Sequence, residues 1–129
     1  MQRFFLTLGA LSGFAAVTLG AFAAHGLKNQ LSPQSLAIFH TGVDYQMYHS
    51  LALLIAAGLF SQHSSASQQP SAKLLTLSSA SFTLGILLFS GSLYALALGA
   101  PPVLGIITPF GGLAFLLGWA ALALHAYSR

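Results

Sequence analysis

The sequence predicts an all-α membrane protein, a four-transmembrane-helix bundle with a short interfacial helix before the second span. Its composition is the first reason. Of 129 residues, 56% are hydrophobic and 4% are charged, whereas soluble domains carry about 25% charged residues. The mean hydropathy of +0.80 is the second reason, and long uncharged apolar runs are the third. So few charged side chains cannot cover a soluble domain, and disorder is excluded by the apolar content.

Four segments of a single domain (1–129) are predicted to cross the membrane, at about residues 4–24, 45–60, 74–98 and 106–127. Crossing about 30 Å of hydrocarbon takes about 20 helical residues, and a helix satisfies its own backbone there. The first segment also resembles a signal peptide, because Arg3 and an apolar run precede small residues at Ala21 and Ala23. The run exceeds the roughly 7–15 residues of a signal core, which favours a span.

The connections between these segments differ in character. Ser32 and Pro33 fit an N-cap and a first helical position. We therefore expect an interfacial helix over residues 33–42 that feeds the second span, with a possible bend at Gly42. Residues 61–73 are rich in Ser and Gln and predict a polar loop, whereas residues 99–105 form a tight uncharged connection.

The cations predict the orientation. With four spans, Arg3, Lys73 and Arg129 share one side of the membrane and only Lys28 lies on the other. Positive residues are enriched on the cytoplasmic side, so both termini are predicted to be cytoplasmic. Scattered cations also give no basic stripe for nucleic acid, and no nucleic-acid partner is expected. The absence of cysteine excludes disulfides and thiolate chemistry.

Small residues recur at helical spacing on three of the spans. Such stripes mark close helix packing, because the hydrophobic effect does not drive helices together in lipid. They indicate either a dimerisation face or packing inside one bundle, and four helices in one chain favour packing. The stripes comprise Gly9, Gly13, Ala16, Gly20 and Ala24; Ser78, Ser81, Gly85 and Ser92; and Gly111, Ala114, Gly118 and Ala121.

Four crossings bring most of the unusual polar side chains to one end of the bundle. Polar groups in a membrane are costly, so this polar cluster is the candidate site for packing or binding. Its members are His25, Tyr45, His49, Ser92, Tyr94 and Thr108.

Histidine at this end of the bundle has two candidate chemical uses, metal binding and proton transfer. His40 and Asp44 have a metal-compatible i, i+4 spacing, but His49 lies about 180° away from His40 on a helix. No metal site is therefore predicted. His49 could relay protons near neutral pH, but a single acidic residue, Asp44, offers little to line a path. Catalytic residues and cofactors are not expected either, since the sequence has no nucleophile motif or phosphate-binding loop.

Four sequence blocks resemble the YgdD/YwdK-like family of small bacterial membrane proteins. They are residues 20–27 (GAFAAHGL), 45–53 (YQMYHSLAL), 89–94 (FSGSLY) and 107–112 (ITPFGG). The blocks occur in the family's order and are spread over residues 20–112 of the chain. The resemblance implies a four-helix protein of the bacterial inner membrane with no assigned activity. It singles out the six residues of the polar cluster, and His40 and Asp44 fall outside the blocks.

The functional prediction follows from the weakness of the sequence patterns for catalysis, metal binding and proton transfer. We expect a non-enzymatic structural or accessory protein surrounded by lipid. Its candidate partners are another membrane protein or further copies of itself in a homo-oligomer. The alternative is a small transporter, or a metal- or proton-handling protein, that uses the His and Tyr residues of the polar cluster.

Overall fold

A computed structural model describes residues 1–62 and 69–128, and these residues form helices joined by short turns. Helix α1 spans Gln2–Phe22 and continues as a π-helical turn over Ala23–Leu27. Helix α2 spans Pro33–Gly58, and a short 3₁₀ turn follows over Leu59–Gln62. The third long helix comprises α3 (Gln69–Gly85), a π turn (Ile86–Ser90) and α4 (Gly91–Ala97). A 3₁₀ turn over Pro102–Ile106 leads into α5, Ile107–Tyr127.

Helices α1 and α2 pack antiparallel along most of their length. A Cβ atom at Gly9 would lie 2.9 Å from the side chain of Leu54, and one at Gly20 would lie 3.3 Å from Val43. As the residue number rises along α1, the number of its neighbour in α2 falls. Small residues therefore let these two backbones approach closely.

Helix α5 packs antiparallel to the third long helix by the same means. A Cβ atom at Gly118 would lie 2.6 Å from the Phe82 ring, and one at Gly111 would collide with the backbone of Phe89. The Ser78 hydroxyl donates to the Gly118 carbonyl across 2.9 Å. These small residues pack within the chain, which agrees with the packing interpretation of the stripes. Ala24, at the end of the α1 stripe, is exposed instead.

Helix α2 lies between α1 and the third long helix and packs on both. One apolar core surrounds Leu53, Phe82 and Phe115. A second core lies nearer the turn that joins α1 to α2 and is built around Phe39, Leu27 and Ala97. The two cores lie at different levels of the same bundle.

Much of the remaining surface is apolar. Exposed large side chains such as Phe14 on α1 (73%) and Leu116 on α5 (66%) face outward along the helices. Three helical stretches in the described residues are long and apolar enough to cross a membrane, Gln2–Leu27, Ser71–Ala97 and Pro102–Tyr127. Helix α2 is equally long, but its polar residues make its mean hydropathy lower than that of these three stretches. Three candidate spans are thus present, and the predicted total of four is not confirmed.

The predicted interfacial helix is corrected by the structure. Residues 33–58 form one continuous α-helix, so residues 33–42 are not a separate element. Ser32 caps this helix, as expected, by accepting from the Ser35 backbone amide. Gly42 does not end a helix; it makes room for the Tyr94 ring, whose Cε1 atom would lie 2.7 Å from an added Cβ.

The predicted polar loop over residues 61–73 is shorter than expected. Residues 61–62 belong to the 3₁₀ turn that follows α2, and α3 begins at Gln69. The part of the prediction that concerns residues 63–68 lies outside the described residues, as does Arg129. The tight connection after α4 turns at Gly99, whose φ of +97° favours glycine.

Candidate functional site

His49 is buried on α2, and both of its ring nitrogens have partners in the chain. Its Nδ1 lies 2.7 Å from the Tyr45 carbonyl oxygen. Its Nε2 lies 3.2 Å from Nε1 of Trp119 on α5. A carbonyl can only accept and an indole N–H can only donate, so the contacts select the neutral tautomer protonated on Nδ1. The hydrogen bond from Trp119 therefore ties α5 to α2 through an acceptor nitrogen.

Aromatic rings enclose the His49 imidazole. The ring stacks on Phe115 of α5, with centroids 3.5 Å apart and planes at 8°. Phe82 of α3 lies 5.8 Å away and in turn meets Trp119 edge to face at 5.2 Å. Rings from α2, α3 and α5 thus meet at His49 and hold its plane in one orientation.

Tyr94 begins a second polar group, which crosses three helices. Its hydroxyl donates to Oε1 of Gln46 on α2 across 2.6 Å. The Gln46 Nε2 group donates to the backbone carbonyl of Ser12 on α1 at 2.9 Å. The Ser50 hydroxyl lies 2.7 Å from Ser12 Oγ and 2.6 Å from the Gln46 carbonyl oxygen. One buried amide therefore links α4, α2 and α1.

Two serines complete the polar contacts near the π turn of the third long helix. Ser92 Oγ and Thr108 Oγ1 lie 2.6 Å apart, and Ser92 also donates to the Phe89 carbonyl at 2.9 Å. The Ser90 hydroxyl donates to the Gly42 carbonyl across 2.7 Å. These bonds join the third long helix to α5 and to α2, respectively.

The six predicted cluster residues do not form one group. Ser92 pairs with Thr108, whereas Tyr94 bonds to Gln46 and His49 bonds to Trp119. Tyr45 contributes its carbonyl to His49 and its ring to Phe89, at 4.6 Å, and its side chain is 39% exposed.

His25 is separate from the other five. It is exposed on the π turn after α1, and within the described part of the chain no hydrogen bond or ring contact joins it to them. The grouping of His25 with the other five residues was predicted from membrane depth alone. The rotation of α1 about its own axis instead turns His25 outward.

Several residues that build these contacts were not predicted. Gln46, Ser12 and Ser50 connect α1 to α2, and Trp119 binds His49, but none of these four residues belongs to the predicted polar cluster. An amide inside an apolar span is a detectable signal, since such groups join helices in membranes. The partners of Gln46 are harder to predict, because one is a backbone carbonyl.

The opposite end of the bundle holds one further buried histidine. His125 near the end of α5 is 1% exposed, and its Nδ1 lies 2.7 Å from the Ser71 hydroxyl on α3. Ser71 also offers its carbonyl oxygen at 3.1 Å. This contact joins α3 to α5 at the end that carries Lys73.

A cavity of about 280 Å³ lies between α1, α2 and the third long helix. Its lining surface is almost entirely apolar, although Ser12, Gln46 and Thr83 line it together with leucine and isoleucine residues. None of the charged side chains that the structure describes lines it. The described residues also contain no group of three or more His, Asp or Glu residues able to hold a metal ion.

The comparisons with known proteins agree with the helical, apolar architecture. Residues 19–112 match the model of a family described as "Protein of unknown function (DUF423)". The chain belongs to the DUF423 family. The matched region runs from the end of α1 to the first turns of α5 and includes all six predicted cluster residues.

Relatives with membrane-protein names cover nearly the whole chain. A UPF0382 membrane protein of Haemophilus influenzae is 48% identical over 98% of this chain and 96% of the relative. The Bacillus subtilis UPF0382 membrane protein YwdK is 41% identical over 97% of both chains. The Escherichia coli UPF0382 inner membrane protein YgdD is 41% identical over 97% of this chain and 90% of the relative. The predicted resemblance to YgdD and YwdK is therefore confirmed.

No solved structure gives a significant match to this chain. This DUF423 protein is thus a helical member of a membrane-protein family without an assigned activity. Neither the family nor the described geometry supports the transporter alternative.

Proposed function

We propose that this DUF423 protein crosses the membrane four times, with α2 as the second span. The antiparallel packing of α1 and α2 supports this. Gly9 near the start of α1 meets Leu54 near the end of α2, and Gly20 meets Val43. Because α2 runs beside the candidate span α1 between these two contacts, the two helices occupy the same depths of the membrane. Hydrogen bonds from Gln46 and the enclosed His49 reduce the cost of the polar side chains on α2.

The proposed membrane is the bacterial cytoplasmic membrane, with both termini in the cytoplasm. The E. coli relative is named an inner membrane protein. Four crossings place Arg3, Lys73 and the C-terminal Arg129 on one side, against Lys28 on the other. This distribution of cations favours a cytoplasmic location for the three.

We propose a non-enzymatic structural or accessory role, in which the polar residues hold the bundle together. The observation that carries this proposal is the pairing of His49, whose two nitrogens are both used inside the chain. An imidazole that donates to Tyr45 and accepts from Trp119 has no lone pair left for a metal or a substrate. Tyr94 is likewise engaged by Gln46.

A matched pair of histidine variants tests this role. His49→Ala should lower the thermal stability of the detergent-purified protein, because it removes two hydrogen bonds and the stack on Phe115. His25→Ala is the control, since His25 is exposed. Ion uptake by reconstituted liposomes should be the same for both variants and the parent protein. A His49→Ala protein that is equally stable but loses ion flux or bound metal would contradict the structural role.

A further inference from the structure

Helix α2 carries an exposed seam in addition to its two packed faces. The seam residues are spaced alternately by four and three positions, and all are exposed: Ala37, Thr41, Asp44, Tyr48, Leu51 and Ile55. Alternation of three and four is the spacing by which one helix packs along a second helix in a left-handed pair. The seam thus has the geometry of a helix contact, while none of the described helices covers it.

The seam also contains the only acidic residue of the protein, Asp44. If α2 crosses the membrane as proposed above, Asp44 lies within the span, toward the end nearest the turn that joins α1 to α2. Its neighbour Val43 is level with Gly20 of α1, and Gly20 is seven residues, or about 10 Å of helix, before the end of that span at Leu27. A carboxyl group that faces lipid at this depth is costly.

Two of the three polar side chains of the seam, Asp44 and Tyr48, have no hydrogen-bond partner among the described residues, whereas the Thr41 hydroxyl donates to the Ala37 carbonyl. Asp44 accepts no hydrogen bond from the described residues, and the Tyr48 hydroxyl, on a side chain 58% exposed, makes none with them. Both side chains point to the same outward face, one helical turn apart. The protein therefore exposes an acceptor and a donor on one face of α2, and both are available to a partner across an interface.

We propose that this seam is the contact surface of a parallel homodimer, in which the Tyr48 hydroxyl of each copy donates to Asp44 of the other. A two-fold axis brings the same patch of both copies together, so one donor and one acceptor per copy are enough to form two bonds. Side chains on a helix lean toward its N-terminus, which directs Tyr48 toward the level of Asp44. The inference rests on the four-span arrangement under Proposed function.

The seam is self-complementary along its length. Leu51 and Ile55 supply apolar contacts below the polar pair, and Ala37 allows close approach above it. A second copy is favoured over another occupant because it brings its own donor for Asp44, whereas lipid tails bring none.

Cysteine cross-linking tests the dimer, because the natural chain contains no cysteine. Leu51→Cys is made in the full chain and oxidised in native membranes. Leu116→Cys on α5 is the matched control, since both leucines are exposed, at 52% and 66%. Its neighbour Phe115 stacks on His49, which places it at a similar depth. We expect Leu51→Cys to give a disulfide-linked species of twice 13.4 kDa and the control to give little.

A second substitution tests the polar pair. Tyr48→Phe, added to Leu51→Cys, removes both bonds of the symmetric dimer and should weaken association about ninefold, at about threefold for each interhelical hydrogen bond lost in a membrane. The parent fold should be unchanged, because the Tyr48 hydroxyl makes no hydrogen bond with the described residues. An unchanged cross-linking yield would overturn the proposed bond.

Three outcomes would overturn the dimer. Leu51→Cys could cross-link no better than Leu116→Cys, it could remain monomeric, or its only product could have the mass of a different protein. Reporter fusions at the chain ends, measured in the same cells, separate this failure from failure of the proposed four-span arrangement. Ends on the same side without a cross-link contradict only the dimer, whereas ends on opposite sides contradict the four crossings.

Discussion

Trp119 donates a hydrogen bond from Nε1 to Nε2 of His49 across 3.2 Å, and the two residues lie 70 positions apart in the chain. His49 is held from its other side by the Tyr45 carbonyl of its own helix. The pair therefore joins α5 to α2, which have few backbone contacts with each other. This side-chain hydrogen bond thus links α5 to α2, the helix at the centre of the bundle.

The coupling between Trp119 and His49 can be measured with a double-mutant cycle. Trp119→Phe, His49→Phe and the double variant should show a coupling free energy of about 0.6 kcal/mol and up to about 1.7, the range for hydrogen bonds between membrane helices. Chemical unfolding in detergent gives the values. Zero coupling would mean that the bond contributes nothing to stability.

Tyr94→Phe should destabilise the protein. It leaves Oε1 of the buried Gln46 without the donor that now lies at 2.6 Å, at a cost of about 1–3 kcal/mol. Tyr127→Phe is the control, because Tyr127 is 92% exposed. Thermal unfolding of both variants in the same detergent is the measurement. Equal melting temperatures for the two would show that the Tyr94 hydroxyl has no role in the bundle.

Adjacent glycines on α5 should respond differently to alanine. A Cβ atom at Gly111 would collide with the backbone of Phe89, which cannot move aside as a side chain can. One at Gly112 would meet only the Phe89 ring, at 3.9 Å. We expect Gly111→Ala to cost about 1–3 kcal/mol or more by overpacking. Gly112→Ala should be neutral or stabilising by up to about 1 kcal/mol.

Stability measurements on the two variants check this difference. If Gly111→Ala is as stable as Gly112→Ala, α5 and the third long helix do not approach as closely as described.

Gly99→Ala should destabilise the turn that follows α4. Its φ of +97° is a conformation that L-residues rarely adopt, and forcing alanine into a left-handed conformation costs about 1–2 kcal/mol. Gly91→Ala is the comparison, because Gly91 is helical and an added Cβ would meet nothing within 4 Å. Thermal unfolding should move in opposite directions for the two. A Gly99→Ala protein as stable as Gly91→Ala would contradict the turn geometry.

The apolar helices could be predicted from sequence because lipid imposes length and composition on them. Gly111 and Gly118 were likewise recognisable as packing positions from their spacing. The continuity of α2 through Gly42 was not predicted. A glycine in a helix is equally consistent with a bend and with a neighbouring side chain that packs closely against the backbone. Here the neighbour is the Tyr94 ring, which belongs to another helix.

The contacts of the polar residues could be predicted only in part. Four crossings give each residue a depth, which is why Ser92 and Thr108 were expected at one level and do meet. Partner choice also depends on the rotation of each helix about its axis. That rotation turns His25 outward and brings Trp119 to His49. The periodicity of a single helix does not determine how two helices are rotated relative to each other. The π turn over Ile86–Ser90 adds a local rotation that periodicity also misses.

The location of the two chain ends tests the four crossings most directly. Fluorescent and periplasm-active enzyme reporters are fused, one at a time, to the N-terminus and the C-terminus of the full chain. Four crossings with the proposed orientation predict that both ends give the cytoplasmic signal. Ends on opposite sides of the membrane would contradict the account, because α2 would then not cross beside α1.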